Sequence, residues 1–200
     1  DADRANKAKS VFLASASLDL RQPLNAMQMY IAALKTKVND EEALKIIEDI
    51  NSVSGSTARL LNALLDVSEL EVGAIKPRYE EFSINNIFNS IFQSFSPLAK
   101  DKSLQFRIVP SSIFVKSDPD LLERILGNFM SNAIRYTQSG SVMIGCRRRG
   151  NMVSIEVWDS GCGISENQMS SIFEDFYQIE NKERDRSKGL GLGLALAKRL

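Results

Sequence analysis

One face of a predicted helix over 118–137 carries side chains that could bind a nucleotide. The positions i, i+4, i+7 and i+8 of this face are held by Asn128, Asn132, Arg135 and Tyr136. A carboxamide oxygen can ligate Mg²⁺, arginine can neutralise phosphate oxygens, and tyrosine can cover a base or a ribose. A solvated polar face explains the same pattern equally well, so this helix alone does not distinguish a nucleotide-binding face from an ordinary surface.

A second candidate segment follows directly after a strand-like run. Asp159 stands at the end of that run, where its carboxylate can accept a hydrogen bond from an adenine amino group. Gly161 and Gly163 would let the backbone come close to a ligand. Alone, the pattern D-x-G-x-G is also common in ordinary turns.

A third candidate is the glycine-rich run 189–193, which leads into the helix-like stretch 195–198. Free N–H groups and the helix dipole at such a point favour phosphate. The run lacks the Gly-Lys-Ser/Thr ending of a P-loop, so it is a weak signal by itself. The polar segment 178–188 before it carries four cations and is interpreted as a lid over phosphates, or as a disordered surface loop.

The elements that position these segments alternate between helix and strand. Helices are predicted at 83–98 and 118–137, the latter with Asp118 as N-cap and Pro119 at its first position. Apolar and polar residues alternate in three strand-like runs, around Phe106, Ile144 and Ile155. The pattern predicts an α+β sandwich with helices on one face of a mixed, mostly antiparallel sheet.

Before this region, residues 1–72 are predicted to form two long helices. The first carries a heptad seam, and its members are Leu20, Leu24, Met27, Ile31 and Leu34. The segment 38–41 is predicted to turn, with Asp40 as the N-cap of the second helix. A two-helix hairpin cannot bury both apolar faces alone, so the seam predicts a homodimer that forms a four-helix bundle.

Composition excludes several classes of protein. The 200 residues contain 25 basic and 25 acidic side chains, so no net charge calls for nucleic acid or an anionic membrane. Histidine is absent, which removes Ser-His-Asp triads. Two cysteines give no disulfide framework, and no apolar run approaches the roughly 18 residues that cross a bilayer. We expect a cytoplasmic fragment whose parent is either membrane-anchored or soluble.

The order and spacing of these pieces resemble the histidine kinase catalytic core over nearly the whole chain. The nucleotide boxes of that family are similar to Asn128-x-x-x-Asn132-Ala133, Asp159-x-Gly161-x-Gly163-Ile164, Phe173-x-x-Phe176 and Gly189-x-Gly191-x-Gly193. Residues 14–24 resemble its phosphoacceptor box, and 61–73 resemble the end of its second dimerisation helix. The resemblance implies a dimerisation and phosphoacceptor hairpin at 1–74 and an ATP-binding domain at 75–200.

The resemblance also implies roles for residues, with ATP and Mg²⁺ as cofactors. It makes Asn132 the Mg²⁺ ligand with Asn128 in support, and it makes Arg135 and Tyr136 contacts for phosphate and adenine. Asp159 would read adenine, with the same box contributing Gly161, Gly163 and Ile164. The phosphate cradle would comprise Lys188, Gly189, Leu190, Gly191, Leu192 and Gly193. The implied partners are a second copy and the receiver domain of a response regulator.

Position 18 departs from the family pattern. The family carries there the histidine that takes the γ-phosphoryl group, whereas Leu18 has no nucleophilic atom, so transfer at this position is excluded. Asp19 stands where the family places the carboxylate that assists proton removal. Gln22 stands where the family holds a polar residue that orients water for phosphatase action. Pro23 should kink the helix beside them.

Three functions remain open: a kinase core whose acceptor is substituted, a nucleotide-binding pseudokinase scaffold that docks a regulator, and an ATPase of the related gyrase and chaperone fold. Those ATPases activate water with a glutamate, where this sequence has Asn128, a neutral amide that cannot act as a general base. Family members usually continue through a closing strand after the last helix. Because the sequence ends at Leu200, we expect a truncated ATP-binding domain.

Overall fold

The computed structural model describes Leu20 and residues 22–71, 76–179 and 191–200; between 59 and 71 it describes only the side chains of Leu61 and Leu70. The described residues fall into two compact units. The first contains the helices before residue 76, and the second contains 76–179 and 193–200. The residues of each unit pack mainly against one another.

The first unit is a helical hairpin. Helix α1 covers 22–35, a turn follows, and helix α2 spans Glu41–Glu71. The carboxylate of Asp40 accepts a hydrogen bond from the backbone N–H of Ala43 at 2.8 Å, so its predicted role as N-cap is confirmed. Lys35 and Glu48 form a 3.0 Å ion pair between the two helices, but both are exposed, so the pair contributes at most about 1 kcal/mol.

The heptad seam is only partly buried within one hairpin. Ile31 on α1 and Ile47 on α2 are buried. Leu20, Met27 and Leu34, which belong to the same seam as Ile31, are 52%, 45% and 50% exposed. The single hairpin therefore leaves apolar side chains of the seam exposed, and the predicted four-helix bundle would cover them.

The second unit contains five strands and three α-helices among its described residues. In chain order they are β1 (Glu80–Ser83), α3 (Ile84–Asp101), β2 (Gln105–Ile108), β3 (Phe114–Ser117), α4 (Pro119–Tyr136), β4 (Ser141–Arg149), β5 (Met152–Asp159) and α5 (Gly193–Arg199). The order β2-β4-β5 makes the main sheet, in which β2 is parallel and β5 antiparallel to β4. A separate antiparallel pair joins β1 to β3.

The core lies between this main sheet and the helices α3 and α4. Phe88, Ile91, Met130, Val142 and Ile144 are among its fully buried side chains. Side chains alternate along a strand, so the opposite face of β5 presents Glu156 and Trp158 outward. The predicted α+β sandwich with a mixed, mostly antiparallel sheet is confirmed.

Two details differ from the sequence prediction. The helix predicted at 83–98 continues to Asp101, and the strands β1 and β3 were not predicted. Helix α2 is continuous through the small polar residues 52–57, and Ser54 is buried there. In the part of the chain that the structure describes, no helix combines the length and the apolar character needed to span a membrane.

Candidate nucleotide site

Helix α4 carries four of the predicted nucleotide contacts, and its first turn is fixed by Asp118. One carboxylate oxygen accepts from the N–H of Leu121 at 3.0 Å, and the other accepts from the N–H of Arg78 at 2.7 Å. These hydrogen bonds, that from Leu121 first, hold the pKa of the Asp118 carboxyl below its ordinary value. The predicted N-cap is thus confirmed, and it also ties the helix to the chain before β1.

The other end of α4 is fixed by a residue that the sequence analysis did not single out. The ammonium of Lys102 donates to the carbonyl oxygens of Ile134 at 2.9 Å and of Arg135 at 2.8 Å. It also reaches that of Thr137 at 3.5 Å. A helix leaves its last carbonyls without intrahelical partners, and a cation there suits the helix dipole. Lys102 therefore caps the turn from which Arg135 and Tyr136 project.

The predicted contacts on α4 are accessible to a ligand. Asn128, Asn132 and Arg135 are half-buried, and Tyr136 is 46% exposed. Helix α5 begins beside this face, since a Cβ atom on Gly193 would lie 3.2 Å from the amide oxygen of Asn128. The structure thus brings Gly193, the first residue of α5, to the face of α4 that carries Asn128 and Asn132.

The Asp159 segment meets the C-terminal end of α4. A carboxylate oxygen of Asp159 accepts from the N–H of Gly161 at 2.8 Å, which fixes the side chain at the end of β5. A Cβ atom on Gly161 would lie 2.8 Å from the carbonyl oxygen of Tyr136. Only glycine allows this approach, so the loop and the helix end are held together backbone to backbone.

The remaining predicted residues are distributed along the loop that follows. Gly163 has φ +73°, a conformation that favours glycine, and Ile164 is 46% exposed. Two 3₁₀ turns follow at 166–168 and 171–173. The ammonium of Lys198 lies 5.7 Å from the ring centre of Phe173, and Arg199 pairs with Asp175. These contacts attach α5 to the loop.

Several predicted site residues lie outside the described residues: Leu18, Asp19, Lys188, Gly189 and Leu190. Gln22 is described and is exposed on α1. Gly191 has φ +71°, and Leu192 directly precedes α5.

Two further features delimit the site. A groove of about 480 Å³ lies between α3 and α4, lined by Ile91, Glu123 and Gly127 among others, and contains none of the predicted nucleotide contacts. Within the described ranges, no cluster of three or more His, Cys, Asp or Glu side chains could hold a metal ion.

Two family models match the chain. The His Kinase A (phospho-acceptor) domain matches residues 8–73, and the histidine kinase-, DNA gyrase B-, and HSP90-like ATPase matches residues 117–200. The first match includes the hairpin with position 18, and the second includes α4, the Asp159 loop and α5.

Curated relatives agree with these matches. The autoinducer 2 sensor kinase/phosphatase LuxQ of Vibrio vulnificus is 30% identical over 190 residues, which cover 90% of this chain and 22% of LuxQ. The sensor histidine kinase RcsC of Escherichia coli K12 is 31% identical over 181 residues, covering 89% and 19% of the two chains. The chain thus spans about a fifth of the length of these relatives.

Solved structures share the architecture. Full-length ShkA in complex with AMPPNP has a TM-score of 0.72 and 26% identity, over 94% of this chain and 39% of ShkA. Histidine kinase ThkA in complex with the response regulator protein TrrA has a TM-score of 0.58 and 20% identity, over 88% and 54% of the two chains. With both family models in order along one chain, this chain contains the catalytic core of the sensor histidine kinase family.

Proposed function

We propose that this chain is the core of an ATP-dependent protein-histidine kinase of a two-component system. In that role its parent would transfer the γ-phosphoryl group of Mg-ATP to a histidine and then to a response-regulator aspartate. The observation that carries the proposal is the convergence at α4, where Gly193 abuts Asn128 and Gly161 abuts the carbonyl of Tyr136. Three separate segments that carry proposed nucleotide contacts, namely α4, the Asp159 loop and the start of α5, thereby meet along helix α4.

Adenine recognition is assigned to Asp159. Its Oδ1 accepts the N–H of Gly161, which fixes the carboxylate so that Oδ2 can accept a hydrogen bond from the exocyclic amine of adenine. Tyr136 is exposed at the adjoining helix end and can cover the base, while Arg135 can neutralise phosphate. Gly163 and Ile164 complete the wall of the loop, and the segment 188–193 would surround the phosphates.

The donor set fits magnesium held jointly with a nucleotide. Mg²⁺ takes oxygen ligands and is usually bound through one or two protein groups plus substrate phosphates. The half-buried amide of Asn132 offers one such oxygen, and Asn128 lies one turn before it on the same face. When bound, the ion would neutralise phosphate charge during transfer.

The hydrolytic alternative is disfavoured by Asn128. A water-activating base needs a group that can take a proton, and a carboxamide cannot do so at neutral pH. The chain's own residues thus favour transfer to a protein acceptor over hydrolysis.

The acceptor step needs a histidine that this sequence lacks at position 18. In a histidine form, an imidazole nitrogen would attack the γ-phosphorus, the bond to the ADP oxygen would break, and Asp19 would assist loss of the imidazole proton. With Leu18, the chain would bind nucleotide without phosphorylating itself there. A nucleotide-binding pseudokinase scaffold is the second candidate, and Leu18 is the observation in its favour.

Two partners are proposed for the hairpin. The exposed seam residues Leu20, Met27 and Leu34 favour a second copy, which would complete a four-helix bundle. The response-regulator receiver domain is the other partner, as in the ThkA–TrrA complex. Gln22 is exposed on α1, one turn beyond position 18, where it could orient water for the phosphatase reaction named for LuxQ.

The deciding experiment compares Leu18→His with the unchanged chain, each incubated with Mg²⁺ and γ-labelled ATP. Acid-labile phosphate on the histidine form alone would support a kinase core, and Asn132→Ala in the histidine form should abolish the label. If both forms bound nucleotide and neither became labelled, the kinase hypothesis would be overturned in favour of the pseudokinase scaffold. Free phosphate released at a sustained rate by both forms would identify an ATPase instead.

A further inference from the structure

We propose that Lys102 is a positioning residue for the nucleotide site, an inference that rests on the proposed function. Lys102 directly follows α3 and lies outside every segment predicted to bind nucleotide. Its ammonium donates to the carbonyls of Ile134 and Arg135 at 2.9 and 2.8 Å. One cation thus supplies two of the partners that the last turn of α4 lacks.

The turn that presents Lys102 is held by two backbone hydrogen bonds. Ser103 adopts the left-handed conformation with φ +56°, and its N–H donates to the carbonyl of Lys100 at 2.9 Å. The N–H of Leu104 donates to the carbonyl of Ala99, also at 2.9 Å. Both Ala99 and Leu104 are buried, so this helix-ending motif is anchored in the core. Lys102 therefore leaves α3 from a fixed point.

A short chain of contacts links the ammonium to the ligand-binding groups. The ammonium of Lys102 donates a hydrogen bond to the carbonyl oxygen of Arg135. The side chain of Arg135 is a proposed phosphate contact. The next carbonyl, of Tyr136, packs against Gly161, and the N–H of Gly161 fixes the Asp159 carboxylate. The steps are direct contacts within the second unit, except that from Arg135 to Tyr136, which is one peptide unit of backbone.

Loss of the ammonium should loosen this chain of contacts without unfolding the domain. Two helix-end carbonyls would lose their charged donor, and the last turn of α4 would open more often. Arg135, Tyr136 and the loop at Gly161 would then occupy their binding positions for a smaller fraction of the time. Nucleotide affinity should fall in proportion to that fraction.

The test measures the dissociation constant for binding of a non-hydrolysable ATP analogue to the protein in the presence of Mg²⁺. In Lys102→Met the dissociation constant should rise by about two- to tenfold, because the loss of a charged hydrogen-bond donor lowers the fraction of molecules in the binding-competent form. Lys102→Arg keeps the charge and should restore most of the affinity. The matched control is Lys100→Met, which removes the same charge from an exposed position two residues earlier.

Amide hydrogen exchange and a core variant separate positioning from general stability. Exchange at Thr137 and Gly161 should accelerate in Lys102→Met and not in Lys100→Met. Ile87→Val, at a buried core position, should lower the unfolding midpoint and leave the dissociation constant unchanged. If Lys102→Met and Lys100→Met bound the analogue with equal affinity, this inference would be overturned and the proposed function would stand. Failure of the unchanged chain to bind the analogue would overturn the proposed function as well.

Discussion

Tyr136 and Gly161 meet through their backbones, with no room for a side chain between them. A Cβ atom on Gly161 would lie 2.8 Å from the carbonyl oxygen of Tyr136 and 2.7 Å from a carboxylate oxygen of Asp159. The end of helix α4 and the start of the Asp159 loop are thus one structural unit. Any change that separates them should disturb the two proposed adenine contacts together.

Gly161→Ala should therefore destabilise the second unit and weaken nucleotide binding. Its methyl group would have to displace a backbone carbonyl, and overpacking of this kind typically costs about 1–3 kcal/mol. Urea unfolding would measure the loss of stability, and titration with an ATP analogue would measure the loss of affinity.

The control for this variant is Gly127→Ala. Gly127 lies in the middle of α4, and a Cβ atom there would meet nothing within 4 Å. Alanine should stabilise the helix by roughly 0.5–1 kcal/mol because it restricts the unfolded chain and favours helix. Similar destabilisation by both variants would contradict the close approach at Gly161.

Ser103→Gly should stabilise the second unit. Ser103 has φ +56°, which costs a residue with a side chain roughly 1–2 kcal/mol relative to glycine. Part of that gain is offset by the greater entropy of glycine in the unfolded chain, so a net gain of about 0.5–1 kcal/mol is expected. Thermal unfolding of the two forms would measure it, and a lower midpoint for the glycine form would refute the explanation.

Stability should fall in acid partly through Asp118. Its pKa is lower in the folded state than in the unfolded chain, chiefly because the N–H of Leu121 donates to the carboxylate. This contribution is therefore complete above the unfolded pKa of about 3.9 and is lost as the pH falls through the folded value.

The measurement is the urea midpoint, followed from about pH 6 down to about pH 2.5, for the unchanged chain and for Asp118→Asn. Asparagine remains a good N-cap but does not titrate, so the variant should lose less stability across this range. The carboxyl of Glu156, whose pKa is lowered mainly by a hydrogen bond from Arg147, should leave a residual slope in both. Identical slopes would show that Asp118 does not contribute.

Asn132→Ala should weaken the Mg²⁺-dependent part of nucleotide binding. Removal of a proposed metal ligand should cost about tenfold or more in affinity for Mg-ATP, with a smaller effect when Mg²⁺ is absent. Asn151→Ala, in the exposed turn between β4 and β5, removes the same group and should have no effect. Equal losses with and without Mg²⁺ would argue against a metal ligand.

The main elements could be predicted because their signals are local. Alternation around Ile144 and Ile155 revealed two strands of the main sheet, and Asp118 followed by Pro119 gave the start of α4 to within a residue. The β1–β3 pair was missed, since each strand has four residues and their register joins Glu80 to Ser117 across a long stretch of chain. Such pairing leaves no periodic pattern.

The site was predicted as a set of residue types, but not as a set of contacts. Gly161 was expected to let backbone approach a ligand, whereas the close approach that the structure describes is to the carbonyl of Tyr136. Lys102 gave no signal, because a lysine after a helix is common and its partners are backbone atoms 32 and 33 residues away. The roles of the asparagines and of Asp159 stay predictions.

The placement of Trp158 determines what an optical assay of this protein can report. It is the sole tryptophan of the chain and directly precedes Asp159, yet its indole lies on the opposite face of β5 and donates to Glu156 at 3.1 Å. A nucleotide held by Asp159 would not touch the fluorophore. Tryptophan emission therefore reports on the outer face of the sheet rather than on the proposed adenine contact.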